Sequence, residues 1–190
     1  MTSIKRFSPL DLLSLNLTNL DPLTENYDLS FYLEYLTKWP SLFSAVKDRD
    51  AGITGYIMGK VEEQHPSMRH SEHYTPWHGH ITVLTVAPAW RRLGQARRLT
   101  EKLEQGSDNN KAWFVDLYVR ASNKVAVDMY KGMGYSVFRR VVSYYSDDPS
   151  GMSESGEDAF DMRKPCSRDK KLKYVRDKGE DFLVSPADVS

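Results

Sequence analysis

Cysteine is nearly missing from this chain: Cys166 is the only one in 190 residues. No internal disulfide can therefore form, and a reducing compartment is expected. Long apolar runs are missing too. Nothing approaches the ~20 consecutive apolar residues of a membrane-spanning helix. The opening Met-Thr-Ser-Ile-Lys-Arg-Phe lacks the apolar segment of a secretory signal. An excess of either charge is absent as well: 26 basic residues balance 26 acidic ones, which argues against coating DNA or RNA as the main task. No repeat appears. The expectation is a soluble cytoplasmic protein, long enough for one domain with a full core.

The run His80-Ile-Thr-Val-Leu-Thr-Val-Ala-Pro-Ala-Trp-Arg-Arg-Leu-Gly-Gln-Ala96 carries the most information. It is β-rich, stops at Ala87-Pro88, and enters a helix through two arginines, a glycine and an alanine. A helix start has backbone N–H groups without intrahelical partners and a partial positive charge, so it holds anions. Arg91 and Arg92 would add charge beside those amides. Gly94 and Ala96 would let a bulky phosphate approach the backbone, and a pyrophosphate fits best. The spacing is neither Gly-x-x-x-x-Gly-Lys-Ser/Thr nor Gly-x-Gly-x-x-Gly. A surface helix with a basic first turn, touching nucleic acid, is the competing reading.

The rest of the pattern predicts a mixed α/β fold. Ile4 to Phe7 alternates like a strand, and Ser8-Pro9 starts a helix continued by Leu10, Leu13 and Leu17. A second helix is predicted from about Ser30 to Lys38, ended by Trp39-Pro40. Leu42 to Lys47 and Ile53 to Val61 read as strands joined by Asp48-Arg-Asp-Ala-Gly52. Glu62 to Trp77 is a polar connection. After the strand His80 to Val86 and its helix come a turn at Gly106 to Lys111, an apolar strand Ala112 to Val119, and a helix capped by Ser122 or Asn123. Gly134 closes that helix. Tyr135 to Tyr145 and Asp158 to Arg163 are the last strands, around an acidic loop from Asp147 to Glu157. Residues 1–165 form the expected domain, and 166–190 a charged tail whose composition suggests disorder.

Two motifs resemble a known family. Arg91-x-x-Gly94-x-Ala96 is similar to the Arg/Gln-x-x-Gly-x-Gly/Ala signature of the acetyl-CoA-dependent N-acetyltransferases of the GNAT superfamily. Asn123, Ala126, Tyr130, Gly134 and Tyr135 match its second pattern, an Asn followed by Ala-x-x-x-Tyr-x-x-x-Gly-Tyr/Phe. The resemblance implies a central mixed twisted sheet flanked by helices, with acetyl-CoA as co-substrate. It places Leu84, Thr85, Val86, Arg91, Arg92, Gly94, Gln95 and Ala96 at the cofactor, with Asn123 on the pantetheine arm. Tyr130 is the expected acid: acyl transfer passes through a tetrahedral intermediate and expels a thiolate, which a phenol can protonate. Read without the family, Tyr130 is a core aromatic and Asn123 a helix cap.

Asn19-Leu-Asp-Pro-Leu-Thr-Glu-Asn-Tyr27, Phe31-Tyr-Leu-Glu-Tyr-Leu, Tyr56-Ile-Met-Gly-Lys60, Trp77-His-Gly-His80 and Asp161-Met-Arg-Lys164 resemble, more narrowly, the catalytic subunits of NatB-type protein N-terminal acetyltransferases. That resemblance implies acetylation of nascent chains beginning Met-Asp, Met-Glu, Met-Asn or Met-Gln. Leu23 and Tyr27 would wall the Met side chain and Glu25 would orient the α-amine. His80 and Thr82, two apart on one strand and so on one face, would bind the second residue. Tyr144, with Tyr145 beside it, would meet the peptide backbone. It also implies a large helical-repeat auxiliary subunit that docks the enzyme on the ribosome, met in part by Leu10, Leu13, Leu17, Leu29 and Leu33.

Plain alternatives stand beside these roles. Glu25 can be a loop carboxylate, Leu23 and Tyr27 a staple between helices, and His80 a core histidine. His65, His70, His73 and His78 have no cysteine companion and no reliable His-x-x-x-His helix pair, so no metal is expected. Neither a membrane nor DNA is an expected partner. An α-amine has a pKa near ~8 against ~10.4 for lysine, so a mild base suffices, and no residue announces itself as that base. Cys166 lies outside the cofactor motifs, which favours direct attack in a ternary complex. The competing functions are another GNAT enzyme acting on lysine or a small amine, and an RNA-binding module using Arg91, Arg92, Arg97 and Arg98.

Overall fold

The computed structural model describes residues 2–21, 24–64, 66–71, 73–146 and 156–189. They form two compact units, Met1–Val61 with Gly79–Asn110, and Glu62–His78 with Lys111–Ser190. Both combine strands and helices, as the predicted mixed α/β class requires.

In the first unit the strand order is β1 (Ser3–Arg6), β2 (Phe43–Asp48), β3 (Gly52–Glu62) and β4 (His78–Val86). β1 runs antiparallel to β2, from Ser3 opposite Lys47 to Arg6 opposite Ser44. β2 turns back on β3 through a tight turn in which the Asp48 carboxylate accepts the amides of Asp50 and Ala51 at 3.0 and 3.2 Å. Gly52 closes it at φ +80°, a left-handed conformation that glycine adopts without steric cost. The leucine-spaced start is not one long α-helix. It is a 3-10 turn over Pro9–Ser14 followed by the single-turn α1 (Asn16–Asn19). The physical reason is burial: Leu10 and Leu13 are 76% and 81% exposed, so no core holds a longer helix.

α2 (Leu29–Lys38) starts after Asp28 and stops at Trp39-Pro40 as predicted. It inserts Tyr32 and Tyr35 into a core with Phe7, Phe43, Tyr56 and Met58, where Phe7 and Phe43 stack at 4.0 Å. Asn19 ties the phenols together, donating to Tyr32 Oη at 3.2 Å and accepting from Tyr56 Oη at 3.1 Å. Burial holds the Tyr56 phenol well above its usual pKa.

α3 (Gln95–Asn109) runs through the predicted turn at Gly106. A Cβ on Gly106 would lie 2.6 Å from Leu42 Cδ2, so this glycine serves close packing rather than chain reversal. Gly59 of β3 is more confined still: its Cβ would meet the His80 carbonyl oxygen at 2.5 Å and Leu103 Cδ1 at 2.4 Å.

In the second unit the order is β5 (Phe114–Arg120), β7 (Glu157–Pro165), β6 (Ser136–Tyr145) and β8 (Leu183–Val184), with α4 (Lys124–Gly132) following β5. β7 is antiparallel to both β5 and β6. Of the acidic loop expected from Asp147 to Glu157, residues 147–155 lie outside the described residues, and Glu157 already opens β7. The segment after Lys164 departs from the expected disorder. Its β8 pairs parallel with β6, Arg140 opposite Leu183 and Val141 opposite Val184, and Val184 buries beside Val141 and Ala159. A few well-placed apolar residues order a highly charged segment here.

Asp161 centres this unit. Its carboxylate accepts from Arg139 Nε at 2.8 Å and from Arg163 Nε and Nη2 at 3.0 and 2.8 Å, and all three residues are essentially buried. The Arg163 guanidinium also lies between the rings of Phe138 and Phe114, at 3.7 and 4.4 Å. Removing one member of such a cluster leaves uncompensated buried charge. Asp161→Ala should therefore lower stability by about 3–5 kcal/mol in urea titration, and a loss well below that would mean the arginines find water instead.

Candidate active site

β4 buries Ile81 and Val83 and leaves His80, Thr82 and Leu84 half-buried on the opposite face, the two-residue alternation of a strand. At its end the Ala87 amide donates to the Thr54 carbonyl at 2.9 Å. Pro88–Trp90 forms a 3-10 turn. The chain then enters α3 through two left-handed residues, Arg92 at φ 63° and Gly94 at φ 75°. Gly94 is the N-cap, and the first intrahelical bond runs from the Arg98 amide to its carbonyl at 3.1 Å. A Cβ on Gly94 would meet nothing within 4 Å. Glycine suits the left-handed backbone there, and the space beside it is the clear approach expected for a phosphate.

Two of the residues expected at the cofactor also make bonds within the protein. Arg91 forms an ion pair with Asp21 and donates from Nε to the Val86 carbonyl at 3.1 Å, so it braces the loop instead of standing loose beside the helix amides. Gln95 is buried and accepts from Thr54 Oγ1 at 3.1 Å, which leaves its backbone amide as the part available to an anion. Arg92 is exposed and makes no ion pair among the described residues. Ala96 is half-buried in the first turn of α3. The Thr85 hydroxyl bonds to that of Thr24 at 2.8 Å, tying the end of β4 to the loop before α2. The helix start itself, with Gly94, Gln95 and Ala96 leading, has the geometry expected of an anion site.

Of the predicted substrate residues, Leu23 lies outside the described residues. Glu25 is exposed, and Tyr27 stacks on Phe31 with ring centres 4.5 Å apart. Asn26 donates to the Asn19 carbonyl at 3.0 Å, which folds this loop over the end of α1. A cavity of about 300 Å³ opens there, lined by Leu15, Asn19, Leu20, Tyr27, Leu29 and Tyr32 among others. The Thr82 hydroxyl meets Tyr35 Oη at 2.9 Å, so α2 orients it.

In the second unit Asn123 is the N-cap of α4, its Oδ1 accepting the Ala126 amide at 3.1 Å. Its NH2 group makes no hydrogen bond among the described residues. Tyr130, two turns on, is 7% exposed and packs edge-on against Tyr135 at 5.6 Å. Burial raises its phenol pKa, and its hydroxyl has no hydrogen-bond partner among the described residues. A buried phenol in that state is protonated at neutral pH and can give its proton to a neighbour. Tyr144 stacks on Tyr118 at 4.7 Å and is half open to solvent.

Sequence reasoning missed several supports. Asp21 and Thr24 were passed over because their partners, Arg91 and Thr85, are distant in sequence. The buried Asp116 was read as part of an apolar strand. Its carboxylate lies 3.6 Å from Nε2 of His78, whose Nδ1 is 2.7 Å from the Pro76 carbonyl oxygen and whose ring stacks on Phe114. Of the other histidines weighed as ligands, His73 lies 4.0 Å from Asp188, His70 is exposed, and His65 is outside the described residues. Glu157 had been assigned to a loop. It accepts from the Ser122 amide at 2.9 Å and from Arg120 at 3.2 Å, and so holds the turn that presents Asn123.

A strand ending in a glycine-capped helix start, and a second strand leading to a helix with a buried phenol, define an acetyltransferase class: residues 11–135 match the acetyltransferase (GNAT) family. The chain is 51% identical over 193 residues to the N-terminal acetyltransferase B complex catalytic subunit naa20 of Schizosaccharomyces pombe, covering 100% of this chain and 99% of that one. It superposes with a TM-score of 0.95 on Naa20 of Chaetomium thermophilum in complex with a bisubstrate analogue, at 52% identity over 99% of both chains. A NatB acetyltransferase complex bound to CoA and MES contains a chain 41% identical, with a TM-score of 0.71, covering 86% of this chain and 99% of that one. The chain belongs to the GNAT family and, within it, to the catalytic subunits of N-terminal acetyltransferase B.

The left-handed cap is open to test. Gly94→Ala should destabilise the protein by about 1–2 kcal/mol and weaken acetyl-CoA binding. Gly132→Ala, a helical glycine at ordinary φ with open space around its Cβ, should stabilise by about 0.5–1 kcal/mol. Equal effects in chemical denaturation would show that Gly94 is not conformationally required.

Proposed function

We propose that this chain is the catalytic subunit of an N-terminal acetyltransferase B. It transfers the acetyl group of acetyl-CoA to the α-amine of nascent chains beginning with Met followed by Asp, Glu, Asn or Gln. The observation that carries this reading is the end-to-end likeness to Naa20 proteins, one of them holding a bisubstrate analogue. In this reading the start of α3 holds the pyrophosphate of acetyl-CoA on backbone amides, with Arg92 as the added charge. The free NH2 of Asn123 takes the pantetheine arm. The incoming α-amine, partly neutral at cellular pH because its pKa is near ~8, attacks the thioester carbonyl directly. As the C–S bond breaks, the Tyr130 hydroxyl gives its proton to the departing thiolate; the amine's own proton passes out through ordered water, and the Tyr130 phenolate takes one back from solvent. Glu25 and Tyr27 orient the amine and the Met side chain, and His80 and Thr82 bind the side chain of the second residue. Tyr144 contacts the peptide backbone.

Supports for the partner and the compartment are separate. Leu10, Leu13, Leu17, Leu20, Leu29 and Leu33 of the first unit remain 40–81% exposed. That much apolar surface on neighbouring short helices marks an interaction face. We assign it to a large helical-repeat auxiliary subunit, which carries the enzyme to the ribosome. A single cysteine and the absence, among the described residues, of a helix long and apolar enough to cross a membrane support the cytoplasm as the compartment.

Acetyl transfer to peptides beginning Met-Asp, Met-Glu, Met-Asn, Met-Leu and Ser-Glu, with an N-blocked lysine peptide as control, tests the reading. Preference for Met followed by an acid or amide is expected. Transfer to lysine would keep the family and discard the substrate. For the acid, Tyr130→Phe should cut kcat by roughly 10²–10⁴-fold while acetyl-CoA affinity stays within about twofold. Because burial raises the phenol pKa, Tyr130 stays protonated up to and beyond pH ~10. The wild-type kcat profile should therefore show no alkaline fall from this group below that pH, and such a fall, absent in Tyr130→Phe, would contradict the assignment.

A further inference from the structure

The chain as a whole is neutral, yet residues 164–178 hold seven basic residues against two acidic ones, leaving the remainder with five more acids than bases. This basic stretch is not a loose tail. Three successive turns fix its backbone, with amides donating from Asp169 to the Cys166 carbonyl at 3.0 Å, from Leu172 to Asp169 at 3.1 Å and from Val175 to Leu172 at 3.2 Å. Asp169, 3% exposed, turns inward and accepts the amides of Lys173 and Tyr174 at 2.9 and 3.0 Å. It therefore organises the turns without neutralising the outer face. Tyr174 packs its ring on Phe114 and Trp113 at 4.9 and 5.7 Å. What projects outward is Lys170, Lys171 and Lys173, all exposed. Beside them, Arg168 lays its guanidinium 4.2 Å from the Trp113 ring and donates to the Lys111 carbonyl at 2.9 Å.

We propose that this turn, Arg168 to Lys173, is a docking surface for RNA, independent of the acetyl-transfer reaction. Three ammonium groups on a backbone already ordered match a repeating phosphate backbone, and ordering the loop adds no cost at binding. A planar guanidinium held on a half-buried indole provides a flat surface on which an unpaired base can stack. A membrane fits less well. The only strongly exposed apolar side chain on the turn is Leu172, 56% exposed, which is too little apolar surface to anchor on lipid.

The test is fluorescence anisotropy of a fluorescein-labelled single-stranded RNA with the full chain, over a salt series. The variant is Lys170→Gln/Lys171→Gln/Lys173→Gln, with phosphatidylcholine–phosphatidylserine vesicles as the competing probe. Wild-type chain should bind the RNA, and the slope of log K against log salt should be shallower in the triple variant by about 2–3, at ~0.7–0.9 per lost phosphate contact. Peptide acetylation and thermal midpoint should be unchanged in the variant, so the result cannot be confused with failure of the proposed enzyme function. Lys170→Glu/Lys171→Glu/Lys173→Glu should abolish binding altogether. The proposal is overturned if wild-type chain does not bind RNA at low salt, if the glutamine variant binds with the same slope, or if vesicles are bound in preference to RNA.

Discussion

A single interior contact orders most of the first unit's functional end: Thr54 of β3 against Gln95 of α3. Thr54 Oγ1 donates to the Gln95 side chain, and the Thr54 carbonyl receives the Ala87 amide at the end of β4. Both residues are buried, so each polar group must be satisfied inside the protein or cost about 1–3 kcal/mol. That requirement pins the first residue of α3 at a fixed distance from the end of β4. The neighbouring Gly55 is as tight as glycine allows: a Cβ there would lie 3.0 Å from the Thr85 carbonyl oxygen and 3.3 Å from Gln95 Oε1. The left-handed Arg92 and Gly94 are consequences, since the chain has only a few residues in which to turn from strand to helix.

Around that node the loops are braced from several directions. Arg91 reaches back to Asp21 and to the Val86 carbonyl, and Thr85 reaches across to Thr24. The segment read as substrate loop and the segment read as cofactor loop are thus joined by an ion pair and a hydroxyl pair. The same logic operates in the second unit. Glu157 holds the Ser122 amide and Arg120, and the next residue but one beyond the β5 end, Ser122, leads into Asn123 as the cap of α4. Arg91, Gly94 and Asn123 sit on or at the ends of short connections, and polar partners tie those connections to the rest of each unit.

Much of the fold was legible because local rules and tertiary demands agree. Ser8-Pro9, Trp39-Pro40 after α2, Asn123 as cap and Gly134 past α4 each act within a few residues, where turn and cap chemistry decides the outcome. The alternation in β4 and the apolar run in β5 likewise report burial directly. The failures are cases where distant packing overrides local habit. Gly106 reads as a turn, yet Leu42 packs against it and the helix continues. The segment after Lys164 reads as disordered, yet Val184 finds a seat beside Val141. Leu10 and Leu13 read as a helix, yet no core covers them and only a 3-10 turn forms.

The sequence alone determined the class of the protein: two spaced motifs, Arg91-x-x-Gly94-x-Ala96 and Asn123 to Tyr135, together with the order of strands and helices around them. Those features are local in the chain, and their chemistry follows from residue type and spacing. Only the tertiary structure decided what each side chain does within the motif. It turned Arg91 toward Asp21 and Gln95 toward Thr54, and it left the Tyr130 hydroxyl without a hydrogen-bond partner among the described residues. It also gathered Arg139, Asp161 and Arg163 into one charge cluster. The physical reason is that hydrogen bonds and ion pairs are won by whichever partner lies within about 3 Å, and that proximity joins residues as far apart as Asp21 and Arg91, which no sequence spacing records.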